Sequence, residues 1–211
     1  MLDNIERVIG KITDIDRLPT YEEARQLFLF FEAGKQIQPN ENPWSKFCDE
    51  NGGIWSVYTV EFVEGLAQKI RDLNGTPVVE VCAGDGKLSH QLRMIGIDIK
   101  ATDDYSFGSI RRKEDLVERL PYWEALEAYR PKVVLGGWSP VGSMRRDILA
   151  FPTVAHFLEF PFSGKDGYRA TDDIRKDDVR IVSFADVAQH YICRNDGFPE
   201  HFSHDVKLFS K

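Results

Sequence analysis

Between residues 20 and 38 the chain reads TYEEARQLFLFFEAGKQIQ, and its apolar positions Ala24, Leu27, Phe28 and Phe31 fall three and four apart. That period predicts an amphipathic helix, and Thr20 followed by Glu23 is a capping-box start. The next stretch, PNENPWSKFCDENGG, predicts a loop from its Pro, Asn and Gly content. A second helical period runs from about Ser56 to Leu73, with Val57, Val60, Phe62, Val63, Leu66, Ala67 and Ile70 as its buried stripe and Asn74-Gly75 as its stop.

From residue 76 the pattern changes. TPVVEVCAGDG is a short β-branched run that passes straight into glycines, KLSHQLRMIG has a helical period closed by Gly96, and IDIKATDD is a second short strand ending in acids. Strand, glycine turn, helix and strand within about 30 residues make a βαβ unit, whose strands are parallel. Further on, LVERLPYWEALEAYR is helical in its later half and PKVVLGGWSP is an apolar strand stopped by glycines. RRDILAF then predicts a short helix, VAHFLEF a strand, SFADVAQHYI a helix and HDVKLFSK a terminal strand. The alternation predicts one α/β domain over residues 55–211 and a helical extension or lid over 1–54. The mixed-charge segment KDGYRATDDIRKDDVR, 165–180, reads as a solvated excursion.

Composition narrows the class. The chain has 211 residues, 42% of them hydrophobic and 29% charged, so it can bury a sizeable core and does not have the composition of a disordered chain. Its longest strongly apolar run near the start is LFLFF, 27–31, far short of the roughly 20 residues that cross a bilayer. The first residues, MLDNIERVIGKITDID, carry acids where a signal peptide has a basic start. A cytoplasmic protein without a membrane partner, monomeric or homodimeric, is the expectation. The formal charge of −7, from 27 Lys and Arg against 34 Asp and Glu, argues against nucleic acid held mainly through phosphates. Cys48, Cys82 and Cys193 are far apart and the five histidines form no HExxH, so no metal centre is expected; His201 and His204 read as part of a solvated loop.

The sharpest signal is Val78-Val79-Glu80-Val81-Cys82-Ala83-Gly84-Asp85-Gly86-Lys87-Leu88-Ser89. A strand delivers the chain to a turn where glycines allow close backbone approach, and the following helix points its free N–H groups at the same place. A dinucleotide fold would want a third glycine where Ser89 stands. Glu80, at the strand's end, would repel a pyrophosphate but can accept hydrogen bonds from a ligand ammonium. A ligand with a positive amino group, such as the amino-acid end of S-adenosylmethionine, fits better than NAD.

Glu80-Val81-Cys82-Ala83-Gly84-Asp85-Gly86 resembles the first motif, E/D-x-G-x-G-x-G, of class I S-adenosylmethionine-dependent methyltransferases, with Cys82 in place of the first glycine. A backbone that needs positive φ at that position would be strained by the cysteine. The resemblance implies a Rossmann-like, seven-stranded, mostly parallel sheet with helices on both faces, S-adenosylmethionine as cofactor and S-adenosylhomocysteine as product. It implies cofactor contacts at Glu80, Cys82, Ala83, Gly84, Asp85 and Gly86. At the end of the second strand Asp103 is the candidate for both ribose hydroxyls, with Asp104 or Tyr105 lining the adenine and Val117 and Glu118 beside the adenine amine. Gly136 and Gly137, the glycines that stop the strand in PKVVLGGWSP, would turn main-chain carbonyls toward the ligand.

The stretch Gly136-Gly137-Trp138-Ser139-Pro140 is similar to, but does not match, the polar-Pro-Pro-aromatic motif of amino-directed methyltransferases. Trp138 is a candidate cover for the transfer site or a cap on the sheet. Because the cofactor arrives activated, the protein has to orient the nucleophile and, for an O–H or N–H acceptor, take its proton. His156 and Glu159 are candidate bases, three apart and so on opposite faces of a strand; His190 reads as a core histidine. The aromatics Phe28, Phe30, Phe31, Trp44, Phe47, Trp55 and Tyr58 fit either a lid or ordinary packing, and the doublets Arg111-Arg112 and Arg145-Arg146 either an anion site or solvated surface. A small-molecule methyltransferase is the leading expectation. A nucleic-acid or protein methyltransferase and a non-catalytic S-adenosylmethionine-binding regulator are the alternatives.

Overall fold

The structure, a computed structural model, describes residues 2–34, 42–106, 115–137, 144–160, 179–193 and 205–211. Its centre is the expected βαβ unit: β2 (Val78–Val81), α5 (Lys87–Met94) and β3 (Ile99–Asp103). Parallel strands β4 (Glu118–Arg119), β5 (Val133–Gly137) and β6 (His156–Phe160) extend it, with β7 (Arg180–Ser183) and β9 (Lys207–Ser210) completing the sheet. The order is β4-β3-β2-β5-β6-β9-β7, and β9 alone runs against its neighbours. This is the Rossmann-like, mostly parallel seven-stranded sheet that the resemblance implied.

Helices cover both faces, as parallel strands buried on both sides require. On one face α4 (Val60–Asp72), α5 and the short α8 (Ala185–Ala188) pack against Val78, Ile99, Val133, Leu135 and Leu158. On the other, α6 (Tyr122–Tyr129) and α7 (Met144–Ala150) pack against Val79, Val81, Val134 and Phe157.

The extension packs around an apolar cluster that also takes in Val57 and Ile192. In α2 (Tyr21–Gly34) the capping box is reciprocal: the Glu23 N–H donates to Thr20 Oγ1 at 3.2 Å and the Thr20 N–H to Glu23 Oε2 at 2.9 Å. Residues 35–38, expected to continue this helix, lie outside the described residues. The expected loop after it contains α3 (Pro43–Glu50), where Asn42 caps the Ser45 N–H at 3.1 Å and Pro43 takes the first helical position. Phe28, Phe31, Trp44 and Phe47 stack together there, so these aromatics pack rather than cover a ligand. Trp44 Nε1 also donates to the Cys193 carbonyl at 2.9 Å.

Helix α4 starts at Val60, capped by Thr59, and not at Ser56 as the apolar period suggested. Residues Ser56–Val57 instead form β1, which pairs antiparallel with β8 (Ile192–Cys193); the helix expected over 183–192 shrinks accordingly to α8. The excursion expected over 165–180 ends in β7, and its residues 165–178 lie outside the described set. Among the described residues no helix is long and apolar enough to cross a membrane.

A further helix precedes these. The segment Leu2–Thr13 forms α1, and three side chains of α5 hold its carboxyl end. Lys87 Nζ donates to the carbonyls of Lys11, Ile12 and Asp14 at 2.9, 2.7 and 2.6 Å, Gln91 Nε2 to the Ile15 carbonyl at 2.6 Å, and His90 Nε2 meets Asp16 Oδ1 at 2.7 Å. A buried ammonium thus satisfies carbonyls that a helix end leaves without partners. Lys87→Met should cost about 3 kcal/mol of stability, because it removes charge-assisted bonds while keeping the stem's packing. Hydrogen exchange should show the amides of α1 opening first; unchanged exchange in α1 would show that the bonds contribute nothing.

Candidate functional site

The sheet reverses its direction of growth between β2 and β5: β3 and β4 lie to one side, β6 to the other. In open α/β sheets a crevice forms outside the carboxyl ends of the strands at such a point, and ligands bind there. The glycine turn 82–86 leads out of β2 at this place.

Hydrogen bonds fix the turn from inside. The Ala83 N–H donates to the Thr102 carbonyl at 3.1 Å, the Gly84 N–H to Asp103 Oδ2 at 2.9 Å and the Gly86 N–H to the Ala83 carbonyl at 2.9 Å. Gly84 and Gly86 have φ of 60° and 77°. A Cβ on Gly86 would stand 2.4 Å from Val117 Cγ2, so glycine there lets the β4 segment close against the turn.

Cys82 has φ 55°, the left-handed conformation in which the resembled motif has glycine. That backbone costs an L-residue about 1–2 kcal/mol. Burial, and then the neighbouring carboxylates Asp103, Asp104 and Glu80, push its thiol up to about 12, so it stays protonated and is no nucleophile. Cys82→Gly should leave stability within about 1 kcal/mol of the original, relief of the backbone offsetting lost packing and the freedom glycine adds to the unfolded chain. Cys82→Val, one heavy atom larger and branched at Cβ, should cost about 2 kcal/mol, because a branched side chain tolerates this φ worst. Thermal unfolding of the pair checks the claim, and a harmless valine would contradict it.

Two carboxylates occupy the start of α5. Asp85 Oδ1 accepts the Lys87 N–H at 3.0 Å, and Glu80 Oε2 accepts the Ser89 N–H at 3.1 Å and its hydroxyl. The helix N-terminus, which would otherwise attract an anion, is therefore already neutralised by acids. Glu80 is only 1% exposed, and its carboxyl is raised to about 7, first by burial and then, against the Ser89 hydrogen bond, by the nearby Asp85 charge. Ser89, buried beneath the turn, stands where a dinucleotide fold has its third glycine and supplies the donor that holds Glu80.

Asp103 closes β3. Besides the Gly84 N–H on one oxygen, it accepts the Tyr105 N–H on the other at 2.6 Å; burial raises its carboxyl despite these two bonds. Each oxygen keeps lone-pair capacity for a further donor. Asp104 is exposed and turns back onto the Ser106 N–H at 2.8 Å. Tyr105, with φ 54°, packs with Ala83, Ala101, Leu116 and Val117 into a small apolar cluster beside Asp103. Glu118 is exposed, its carboxylate taking the Tyr129 hydroxyl and pushing that phenol up to about 12. Gly136 pairs with Val81 and Gly137 with Phe160, so both stand at the carboxyl edge of the sheet.

His156 does not join this group. It opens β6, opposite Val133, four residues before Phe160, which places it about 13 Å from the carboxyl edge at the rise of a strand. Its Nδ1 meets Ser210 Oγ at 2.9 Å, and burial lowers its pKa. Glu159 lies on the opposite face, in a buried bidentate pair with Arg145: Nε to Oε2 and Nη2 to Oε1, both 2.8 Å. Neither is a base or an anion hook open to solvent. His190 sits in the turn after α8 with its ring against Tyr21 at 5.3 Å. Trp138, Arg111, Arg112, His201 and His204 lie outside the described residues, and among the described residues no cluster of His, Cys, Asp or Glu has the makings of a metal site.

No protein-family profile and no curated protein matches the chain. Among solved structures it is similar to the methyltransferase domain of bacterial CtHen1, at 12% identity over 71% of this chain and 96% of that one, with a TM-score of 0.43. A point mutant of MtNAS is similar at 12% identity over 90% and 72% of the two chains, TM-score 0.43. The bifunctional kinase-methyltransferase WbdD is similar at 10% identity over 72% of this chain and 38% of its own, TM-score 0.40. At these scores the likeness assigns neither family nor activity, and the functional reading rests on the residues of the chain itself.

Proposed function

We propose that the chain is an S-adenosylmethionine-dependent methyltransferase acting on the oxygen or nitrogen of a small-molecule acceptor. The observation that carries the reading is the pair of carboxylates, Glu80 and Asp85, engaging the Lys87 and Ser89 N–H groups at the start of α5, beside the crevice. A pyrophosphate would face both; a ligand bearing an ammonium and a sulfonium gains from both.

The rest of the edge suits the same ligand. Asp103 has acceptor capacity for two ribose hydroxyls, and Ala83, Tyr105, Leu116 and Val117 form an apolar patch beside it for a base. Gly136 and Gly137 leave the end of β5 without side chains, where an acceptor can approach. S-adenosylmethionine, when bound, supplies a methyl group already activated on sulfur. The protein's share is then orientation, exclusion of water and removal of the acceptor's proton. The surplus of acids, and the withdrawal of Arg145 into its pair with Glu159, favour a small acceptor over a polyanion.

Thermal unfolding with added ligands tests the reading. S-adenosylmethionine and S-adenosylhomocysteine should each raise the midpoint, by the equivalent of about 2.7 kcal/mol at a hundred times the dissociation constant, and NAD should not. A rise with NAD alone would refute the electrostatic argument.

A further inference from the structure

Tyr58 stands between β1 and α4, outside the sheet, yet its hydroxyl reaches the carboxyl edge. A Cβ placed on Gly137 would lie 3.9 Å from Tyr58 Oη, an ordinary contact distance, so the phenol stands beside the end of β5. The ring is held by Phe62 at 6.0 Å and Tyr191 at 6.5 Å. The charges of Glu80 and Asp85 both act on this phenol. Behind it, Ser56 is hydrogen-bonded to both Tyr191 and Tyr58. If Tyr191 donates to Ser56 and Ser56 to Tyr58, the Tyr58 hydroxyl keeps its own proton for an acceptor in the crevice.

The layout of the edge says which part of a ligand that is. Asp103 and the apolar patch belong to the β3 and β4 side of the turn, while Tyr58 and Gly137 belong to the β5 side. A nucleoside over β3 leaves the amino-acid end over β2 and β5. Glu80 and Asp85 answer the ammonium of that end but would repel its carboxylate, which needs a donor that brings no negative charge. Burial first, then Tyr191 and after it these same acids, hold the Tyr58 phenol well above its ordinary range, so it stays a neutral donor.

Resting on the cofactor reading above, we propose that the Tyr58 hydroxyl, oriented through Ser56 and Tyr191, hydrogen-bonds the carboxylate at the amino-acid end of S-adenosylmethionine. Tyr58 is then a positioning residue contributed from outside the sheet, and it makes the site selective for ligands that carry the amino-acid arm.

Calorimetric titration of the full chain and of Tyr58→Phe with two probes tests this: S-adenosylhomocysteine, which has the arm, and methylthioadenosine, which lacks it. Tyr58→Phe keeps the ring and should weaken S-adenosylhomocysteine about tenfold, as expected for loss of a hydrogen bond to a charged group, with methylthioadenosine unchanged. Equal weakening of both probes would mean a structural role, and no weakening would mean no contact; either overturns the proposal. Should the phenylalanine variant fail to fold, Tyr191→Phe, which breaks the chain two hydroxyls back, is read in the same way with a smaller loss. If the unaltered chain binds methylthioadenosine but not S-adenosylhomocysteine, the Tyr58 assignment fails; if it binds neither, the cofactor reading fails first.

Discussion

Asp103→Ala should weaken binding of S-adenosylhomocysteine by at least about a hundredfold, since two hydrogen bonds to a carboxylate, each about 1.5–3 kcal/mol, disappear together. Methylthioadenosine, which keeps the ribose, should weaken equally, unlike in the Tyr58 variant. The same substitution removes the acceptors of the Gly84 and Tyr105 N–H groups and should therefore cost about 2 kcal/mol of stability, which unfolding measures separately. Asp103→Asn retains one carbonyl oxygen for the turn and loses the charge, so it should stay nearer the original in stability than in affinity. Unchanged affinity in a folded Asp103→Ala protein would move the ribose contact elsewhere.

The second large effect concerns Glu80. Its carboxyl is raised from 4.5 to about 7, so between those values the folded chain binds a proton that the unfolded chain has released. Stability from this group is therefore complete below about pH 4.5, falls as pH rises and is lost above about pH 7, a total of about 3 kcal/mol. Glu80→Gln keeps a carbonyl oxygen for Ser89 and cannot ionise. Relative to the original protein it should be equally stable at pH 5 and more stable at pH 8 by about 3 kcal/mol, or roughly 6–12 °C in midpoint for a chain of this size. It should also bind S-adenosylmethionine less tightly, because the group that ionises to meet the ammonium is gone. A buried acid retained at the expense of stability is the pattern of a functional site. Parallel pH dependence in the two proteins would show that Glu80 ionises as it does in water.

The βαβ unit was legible because it combines two strong local signals, β-branched strands and a glycine turn opening a helix. Even the strain at Cys82 was readable, since a motif that places glycine there implies positive φ. What could not be read is what depends on distant pairing. Strands β1, β4 and β8 have two residues each and exist through their partners, without a periodicity of their own. Helix α3 carried its start signal in Asn42-Pro43, but the surrounding Pro, Asn and Gly outweighed it. His156 stands away from the crevice because direction along β6 is set by the sheet, and Glu159 is closed off by a partner, Arg145, 14 residues away on α7. Tyr58 resisted assignment for the same reason: its relation to Gly137, across 79 residues, exists only in the folded chain.

The most direct test is calorimetric titration of the unaltered protein with S-adenosylmethionine near pH 7, repeated in buffers of different ionisation enthalpy. The expected result is saturable binding at one site per chain, with a heat that varies with the buffer because the arriving ammonium draws a proton off Glu80. No heat and no thermal shift at millimolar ligand would contradict the assignment of this crevice to S-adenosylmethionine.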